Sequence, residues 1–168
     1  MPFTLEPHKK HLYSKNFLLK GDKMKNTTFG TVFLGGSKTI GALPTKATDW
    51  IDYFIDADEQ IIVSDSHGAE LAMQNYLLSR KYQNVTIYYS GDKCRFNVGD
   101  WKTKQFSLNH EEAMIAECNC AFLVWDGFSE ETKSSIENLR KKGLPIFIYR
   151  TDRDALSVIR RNIKLNNK

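Results

Sequence analysis

The chain has 168 residues, 41% of them apolar and 26% charged, which is the profile of one ordinary globular domain and excludes two large ones. At this length folding buries roughly 70% of the unfolded chain's surface, so packing can supply the core without a disulfide or metal staple. The formal net charge is +4, but residues 1–23 hold +3 of it and the remaining 145 residues only +1, which argues against a domain-wide nucleic-acid footprint.

Three cysteines, Cys94, Cys118 and Cys120, cannot all pair, and the Cys118-Asn119-Cys120 spacing lacks a second Cys or His pair for a tetrahedral metal site. A reduced, cytoplasmic protein with no bound metal or cofactor is the simplest expectation. No apolar run reaches the roughly 18 residues of a membrane span, and the head has no signal-type apolar segment, so no membrane partner is expected.

Residues 1–27 follow neither a helical nor a strand period and contain Pro2, Pro7 and Gly21 among scattered lysines. They read as a loose arm ahead of a single domain over residues 28–168. Lys20-Gly21-Asp22-Lys23 before Met24 back-translates to AAA-GGA-GAT-AAA-ATG, a purine-rich bacterial ribosome-binding site. Met24 is therefore a candidate start, with chance as the alternative.

From Thr28 onward short apolar runs alternate with amphipathic stretches. The runs at 29–34, 60–63, 85–89, 121–125 and 145–149 are rich in Val, Ile, Phe or Tyr and bounded by turn-forming residues, as strands buried on both faces should be. Between them Ala47, Trp50, Ile51, Phe54 and Ile55, then Ala69, Ala72, Met73, Tyr76 and Leu77, recur at helical spacing. So do Ala113, Met114 and Ala116, and then Thr132, Ile136 and Leu139. Leu156, Ile159 and Ile163 predict a last helix beginning near Thr151-Asp152. With Arg153, Arg160, Arg161, Lys164 and Lys168 it would present a small basic stripe, or simply a solvated helix face. Five βα units predict an α/β fold, a Rossmann-like three-layer sandwich around a five-stranded, mainly parallel sheet.

In such sheets ligands bind beyond the carboxyl ends of the strands. After the first run comes Gly35-Gly36-Ser37-Lys38-Thr39, whose glycines would let the backbone approach a phosphate, or which is a plain tight turn; it is neither a full G-x-G-x-x-G nor a Walker A motif. After the second comes Ser64-Asp65-Ser66-His67-Gly68-Ala69-Glu70, where Asp65 can accept from ribose hydroxyls or can cap the helix; His67 is a ligand contact or merely exposed. The segment 90–105 reads as a long loop, functional or mobile. Within it Arg95 offers a fork for phosphate or carboxylate, and Asn97 a partner for a base edge or for the loop itself. Trp101 is placed either to stack on a base or to pack on the sheet. After the fourth run, Asp126-Gly127-Phe128-Ser129-Glu130-Glu131-Thr132 brings hydroxyls to a helix start, a common phosphate seat crowded here by acids that also compensate the helix dipole.

Taken together, Leu34-Gly35-Gly36-Ser37-Lys38-Thr39-Ile40, Leu43-Pro44, Ser64 through Glu70, Gln74-Asn75-Tyr76-Leu77, Tyr82-Gln83-Asn84-Val85-Thr86-Ile87-Tyr88, Arg95-Phe96-Asn97 and Trp125-Asp126-Gly127-Phe128-Ser129 resemble the SLOG superfamily. That group unites Smf DNA-processing proteins with the lonely-guy cytokinin-activating enzymes, and the likeness spans residues 28–150. It implies a nucleotide-binding pocket surrounded by the glycine turn, the acidic second loop and the Asp-Gly-x-Ser loop. Members include nucleoside-monophosphate N-glycosidases, single-stranded DNA binders and sensors of nucleotide-derived signals in bacterial conflict systems.

Lonely-guy enzymes carry Pro-Gly-Gly-x-Gly-Thr-x-x-Glu at the corresponding helix. Here Glu131 replaces the glycine before Thr132, Ser135 stands in the glutamate's register, and Glu137 would point about 200° round the helix. Glu70 stands where many relatives have Asp. The leading expectation is therefore binding of a nucleotide or nucleoside-derived molecule, as a sensor or sequestering module, through Gly35, Gly36, Ser37, Lys38, Asp65, His67, Gly68, Arg95, Asn97, Asp126, Gly127, Ser129 and Thr132. The alternative is a nucleotide N-glycosidase using Asp65, Asp126 or Glu131. A single-stranded DNA or protein-interaction role comes third, since the core lacks strong basic surface. Lonely-guy relatives are commonly dimers, which is the ground for expecting a homodimer.

Overall fold

A computed structural model describes residues 28–159. The N-terminal arm, Met24, Ile163 and the lysines and arginines from 160 onward lie outside the described residues.

The elements run β1 (Thr31–Gly36), α1 (Thr45–Asp56), β2 (Gln60–Ser64), α2 (Ala69–Ser79), β3 (Val85–Ser90), β4 (Lys102–Phe106), α3 (His110–Glu117), β5 (Cys120–Trp125), α4 (Glu130–Lys142), β6 (Ile146–Arg150) and β7 (Ala155–Ile159). All seven strands form one sheet in the order β4-β3-β2-β1-β5-β6-β7. Every pairing is parallel except the antiparallel β6–β7 hairpin.

Both faces of the sheet are covered, which is why the central strands are continuous apolar runs without alternation. Trp50, Ile51 and Phe54 of α1 and Met73 and Leu77 of α2 pack on one face, against Val32, Leu34, Ile61 and Phe122. Met114 of α3 and Ile136 and Leu139 of α4 pack on the other, against Phe33, Ile62 and Leu123. The chain thus builds outward from β1 through β2 and β3 to β4, then crosses to the opposite face through α3 and returns beside β1 as β5. β1 and β5 stay paired to their carboxyl ends, but the chain leaves them toward helices on opposite faces, and a crevice lies at this reversal.

The sheet has seven strands, not the five expected. β4 lies inside the segment read as an uninterrupted loop. Its sequence, Lys-Thr-Lys-Gln-Phe, has no apolar run because it is an edge strand with mostly exposed side chains, and its lysines discourage further pairing. The rest of that segment, residues 91–101, takes the place of a helix, packing Cys94, Val98 and Trp101 into the same core as α1 and α2.

The expected final helix is, over its described part, strand β7. Spacing of three was read there as one helical face, but in a strand it places residues on opposite faces. Leu156 packs into the α1–α2 core and Ile159 into the α3–α4 core. The turn before β7 closes through Asp154 in the left-handed region at φ 46°, with Tyr149 donating to its carboxylate.

Candidate functional site

A cleft of about 260 Å³ occupies the crevice at the carboxyl ends of β1 and β5, on the α3–α4 side of the sheet. Its floor is Phe33, Gly35, Leu123 and Met114. The floor exists because residue 35 has no side chain: a Cβ there would lie 2.7 Å from Phe33 Cε1 and 3.0 Å from Leu123 Cδ2. Gly36 faces the other way, where a Cβ would stand 2.3 Å from the Val124 carbonyl oxygen and 2.7 Å from the Ala69 Cβ, so this glycine is what lets α2 seat against the sheet.

Three helix starts form the walls. From α2 comes Glu70, from α3 come Asn109, His110 and Glu111, and from α4 come Glu131, Thr132 and Ser135; Lys38, Ser64, Ser66 and Arg95 line the rim. Asn109 is the cap of α3, accepting from the Glu111 N–H at 3.0 Å. His110 is anchored to Ser90 twice: its N–H donates to Ser90 Oγ at 3.1 Å, and Nδ1 and Oγ lie 3.0 Å apart. Burial lowers the His110 pKa, which favours a neutral ring at pH 7. Ser135 donates to Glu111 and to the Glu131 carbonyl oxygen, bringing α3 and α4 together at the back of the cleft.

Glu70 differs from its neighbours. Its Oε2 is shut off from solvent and has no hydrogen-bond partner among the described residues. Burial pushes the carboxyl pKa up to about 7; Glu111 adds to the rise, while the Glu70 and Gly36 N–H groups and Lys38 oppose it. An unpartnered buried carboxyl oxygen is costly to keep.

Asp65 is completely buried and lies beneath Arg95, not in the cleft. It accepts from the Arg95 N–H at 2.9 Å, from Nε at 3.3 Å and from Nη2 at 3.1 Å. Neither it nor Ser66 caps α2, whose N-cap is Gly68 in the positive-φ region. There a Cβ would fall 2.5 Å from the Lys38 backbone, so the first and second loops lock together at this glycine.

Gln74, fully buried in α2, holds the 91–101 connection by donating to the Ser64 and Phe96 carbonyls and accepting from the Val98 N–H. Asn97 closes that connection on itself through the Trp101 backbone, 2.9 Å to its carbonyl and 3.0 Å from its N–H. The Trp101 ring is buried in the core and its Nε1–H donates to the Tyr82 carbonyl at 2.8 Å, so it packs on the sheet and is not offered for stacking.

The loop before α4 is also self-satisfied. Asp126 accepts from Thr39 Oγ1, from the N–H groups of Phe128 and Ser129 and from Ser129 Oγ, all at 2.7–2.8 Å. Burial alone would raise its pKa, but the Ser129 hydroxyl and N–H, the Phe128 N–H and the Thr39 hydroxyl together hold it well below the usual carboxylate range. Ser37 Oγ and Thr132 Oγ1 share a hydrogen bond of 3.1 Å, and Ser37 Oγ also accepts from the Asp126 N–H. A shallower depression outside this seat is lined by Lys38, Ser129, Glu130, Glu131 and Thr132.

Of the residues singled out from sequence, the cleft therefore gathers Gly35, Gly36, Lys38, Arg95, Glu131 and Thr132. Ser37, Asp65, Gly68, Asn97, Asp126, Gly127 and Ser129 hold the surrounding loops, and His67 is exposed outside the cleft lining. Sequence reasoning passed over Asn109, His110, Glu111 and Ser135 as site residues. The Asn-His-Glu-Glu run was a visible helix-start signal, but without β4 nothing placed that helix at the strand tips. Glu70 was visible as part of its motif, yet its burial depends on how α2 seats against Gly36.

Among the described residues no group of three or more His, Cys, Asp or Glu is placed to hold a metal ion, and no helix is long and apolar enough to cross a membrane. The three cysteines are unpaired, and burial pushes the Cys118 thiol up to about 11. No family model matches the chain, and no curated protein or solved structure matches it either.

Proposed function

We propose that this cleft binds a nucleotide or nucleoside-derived small molecule, in a sensing or sequestering role, as the SLOG-like loops imply. The observation that carries the reading is the orphaned Glu70 carboxyl oxygen in a crevice at the reversal of strand order. A sugar hydroxyl or a base amino group supplies the donor that Glu70 lacks, and the apolar floor of Phe33, Leu123 and Met114 suits the face of a base. The cleft is below the roughly 300 Å³ where drug-sized pockets begin, which fits one sugar-and-base unit better than a dinucleotide.

A second reading, hydrolysis of an N-glycosidic bond, draws support from the same residue. A carboxyl that titrates near 7 is suited to general acid or base work, and Glu111 lies in the same cleft as a second carboxylate. In this reading the reacting carboxylates are Glu70 and Glu111, with Glu131 at the rim; Asp65 and Asp126 act by positioning loops.

A thermal-shift screen against nucleosides, nucleoside monophosphates, cyclic dinucleotides and ADP-ribose derivatives, with chromatography of the mixtures, tests both. Stabilisation with intact ligand is the result expected of a binder. Free base accumulating with time moves the assignment to the hydrolase. The absence of any shift across the panel overturns both.

A further inference from the structure

The charge pattern of the cleft bears on which member of the nucleotide class enters it. Two cations line it, and both are engaged. Lys38 Nζ sits 3.0 Å from Glu131 Oε2, and the Nε–Nη2 edge of Arg95, one of the two edges by which a guanidinium grips a phosphate, is closed on Asp65. Glu70 and Glu111 add carboxyl groups with no cation bonded to them among the described residues, and burial keeps His110 toward its neutral form.

The α4 start would be the natural anion seat, but Glu130 and Glu131 occupy its first turn, and the Ser37 and Thr132 hydroxyls share a hydrogen bond that commits one of their two protons. What the site lacks is a donor: Glu70 Oε2 is buried, lines no internal hydrogen bond and belongs to a cleft-lining side chain.

Resting on the nucleotide-class reading above, we infer that the cleft selects the unphosphorylated nucleoside, or its free base, over the corresponding 5′-phosphate. The ligand is a neutral or cationic molecule that donates hydrogen bonds to Glu70 and Glu111, by ribose hydroxyls or an exocyclic amino group. A phosphate would bring negative charge against Glu131 and the partly ionised Glu70, with the Nε–Nη2 edge of Arg95 already committed to Asp65. In a hydrolytic setting the same preference makes the substrate a nucleoside: water adds to C1′ and gives up a proton to one carboxylate, the C1′–N bond breaks with its electron pair leaving on the base, and the other carboxyl group delivers a proton to that nitrogen.

The test is isothermal titration calorimetry of the full chain with adenosine, guanosine, cytidine and uridine and with their 5′-monophosphates, repeated on Glu131→Gln and Glu70→Gln. Glu131 is exposed, so its substitution leaves the fold intact. The inference expects at least one nucleoside to bind tenfold or more tightly than its monophosphate. Glu131→Gln, by freeing Lys38, narrows that gap several-fold, and Glu70→Gln weakens the nucleoside tenfold. A monophosphate that binds as tightly as its nucleoside, or more so, overturns the inference and leaves the nucleotide-binding reading standing. Failure of every nucleoside and monophosphate to bind overturns the inference, and the nucleotide-class reading falls with it only where the cyclic dinucleotides and ADP-ribose derivatives also fail.

Discussion

Replacing Glu70 by Gln separates the energetics of the cleft from any ligand. The Glu70 pKa rises from 4.5 in the unfolded chain to about 7 in the fold, chiefly because burial disfavours the charged form. A shift of that size is worth about 3 kcal/mol at roughly 1.4 kcal/mol per pH unit. The sign follows from proton binding: between 4.5 and about 7 the folded protein holds the proton that the unfolded chain has released, so stability falls as pH rises through this window. Glu111 and Lys38 act on Glu70 through space, so the difference between the two pH profiles reports Glu70 together with its coupling to these neighbours. Urea unfolding at about pH 4 and about pH 8 should show wild type losing about 3 kcal/mol relative to Glu70→Gln on going to the higher pH. In thermal melts this is a relative shift of about 6–12 °C for a chain of this size. The amide can lower the variant at every pH by about 1–3 kcal/mol where its N–H finds no acceptor, which offsets the two profiles without changing their divergence. Parallel profiles would refute the placement of this carboxyl in a desolvated cleft.

Three further substitutions probe the frame around it. Arg95→Ala leaves the Asp65 carboxylate buried with only a backbone donor and should destabilise by about 3 kcal/mol in urea melts, whereas Arg95 itself is half exposed and can turn to water when Asp65 is replaced by Asn, a smaller loss. Gly36→Ala drives a methyl into the Val124 carbonyl and should abolish soluble folded protein, while Gly41→Ala, with open space around it, leaves the melt unchanged by circular dichroism. Asp126→Ala removes the acceptor that orders the start of α4 and should cost about 1–2 kcal/mol. Because the Asp126 pKa is depressed, that contribution is complete above the ordinary 3.8 and fades as pH falls below it, so wild type and variant converge in acid melts.

The central strands were legible because a sheet covered on both faces leaves no room for alternation, and five apolar runs stand out from their turns. β4 was not, since an edge strand can be built from Lys102, Thr103 and Lys104 with no apolar signature. β7 was misread because Leu156 and Ile159 satisfy either a helical face or the two sides of a sheet, and only the β6 hairpin decides between them. Within the site, the loops after β1, β2 and β5 were readable as strand-tip turns, but not the division of labour among them. Asp65, Asp126, Asn97 and Ser37 looked like ligand contacts because their chemistry is suitable; in the fold their hydrogen bonds go to Arg95, Thr39, Trp101 and Thr132. Glu111 reaches the cleft from a helix that follows the unrecognised strand, and Glu70 becomes exceptional only through burial, which depends on long-range packing.

The most direct test of the cleft as the ligand site is amide NMR of the labelled chain titrated with the nucleoside or nucleotide that gives the largest thermal shift. The account predicts that the perturbed amides cluster at Gly35, Glu70, His110, Glu111 and Ser135, and that Glu70→Gln reduces the affinity read from those same shifts. Perturbations confined to α1, β7 or the 91–101 connection, with Glu70→Gln without effect, would contradict it.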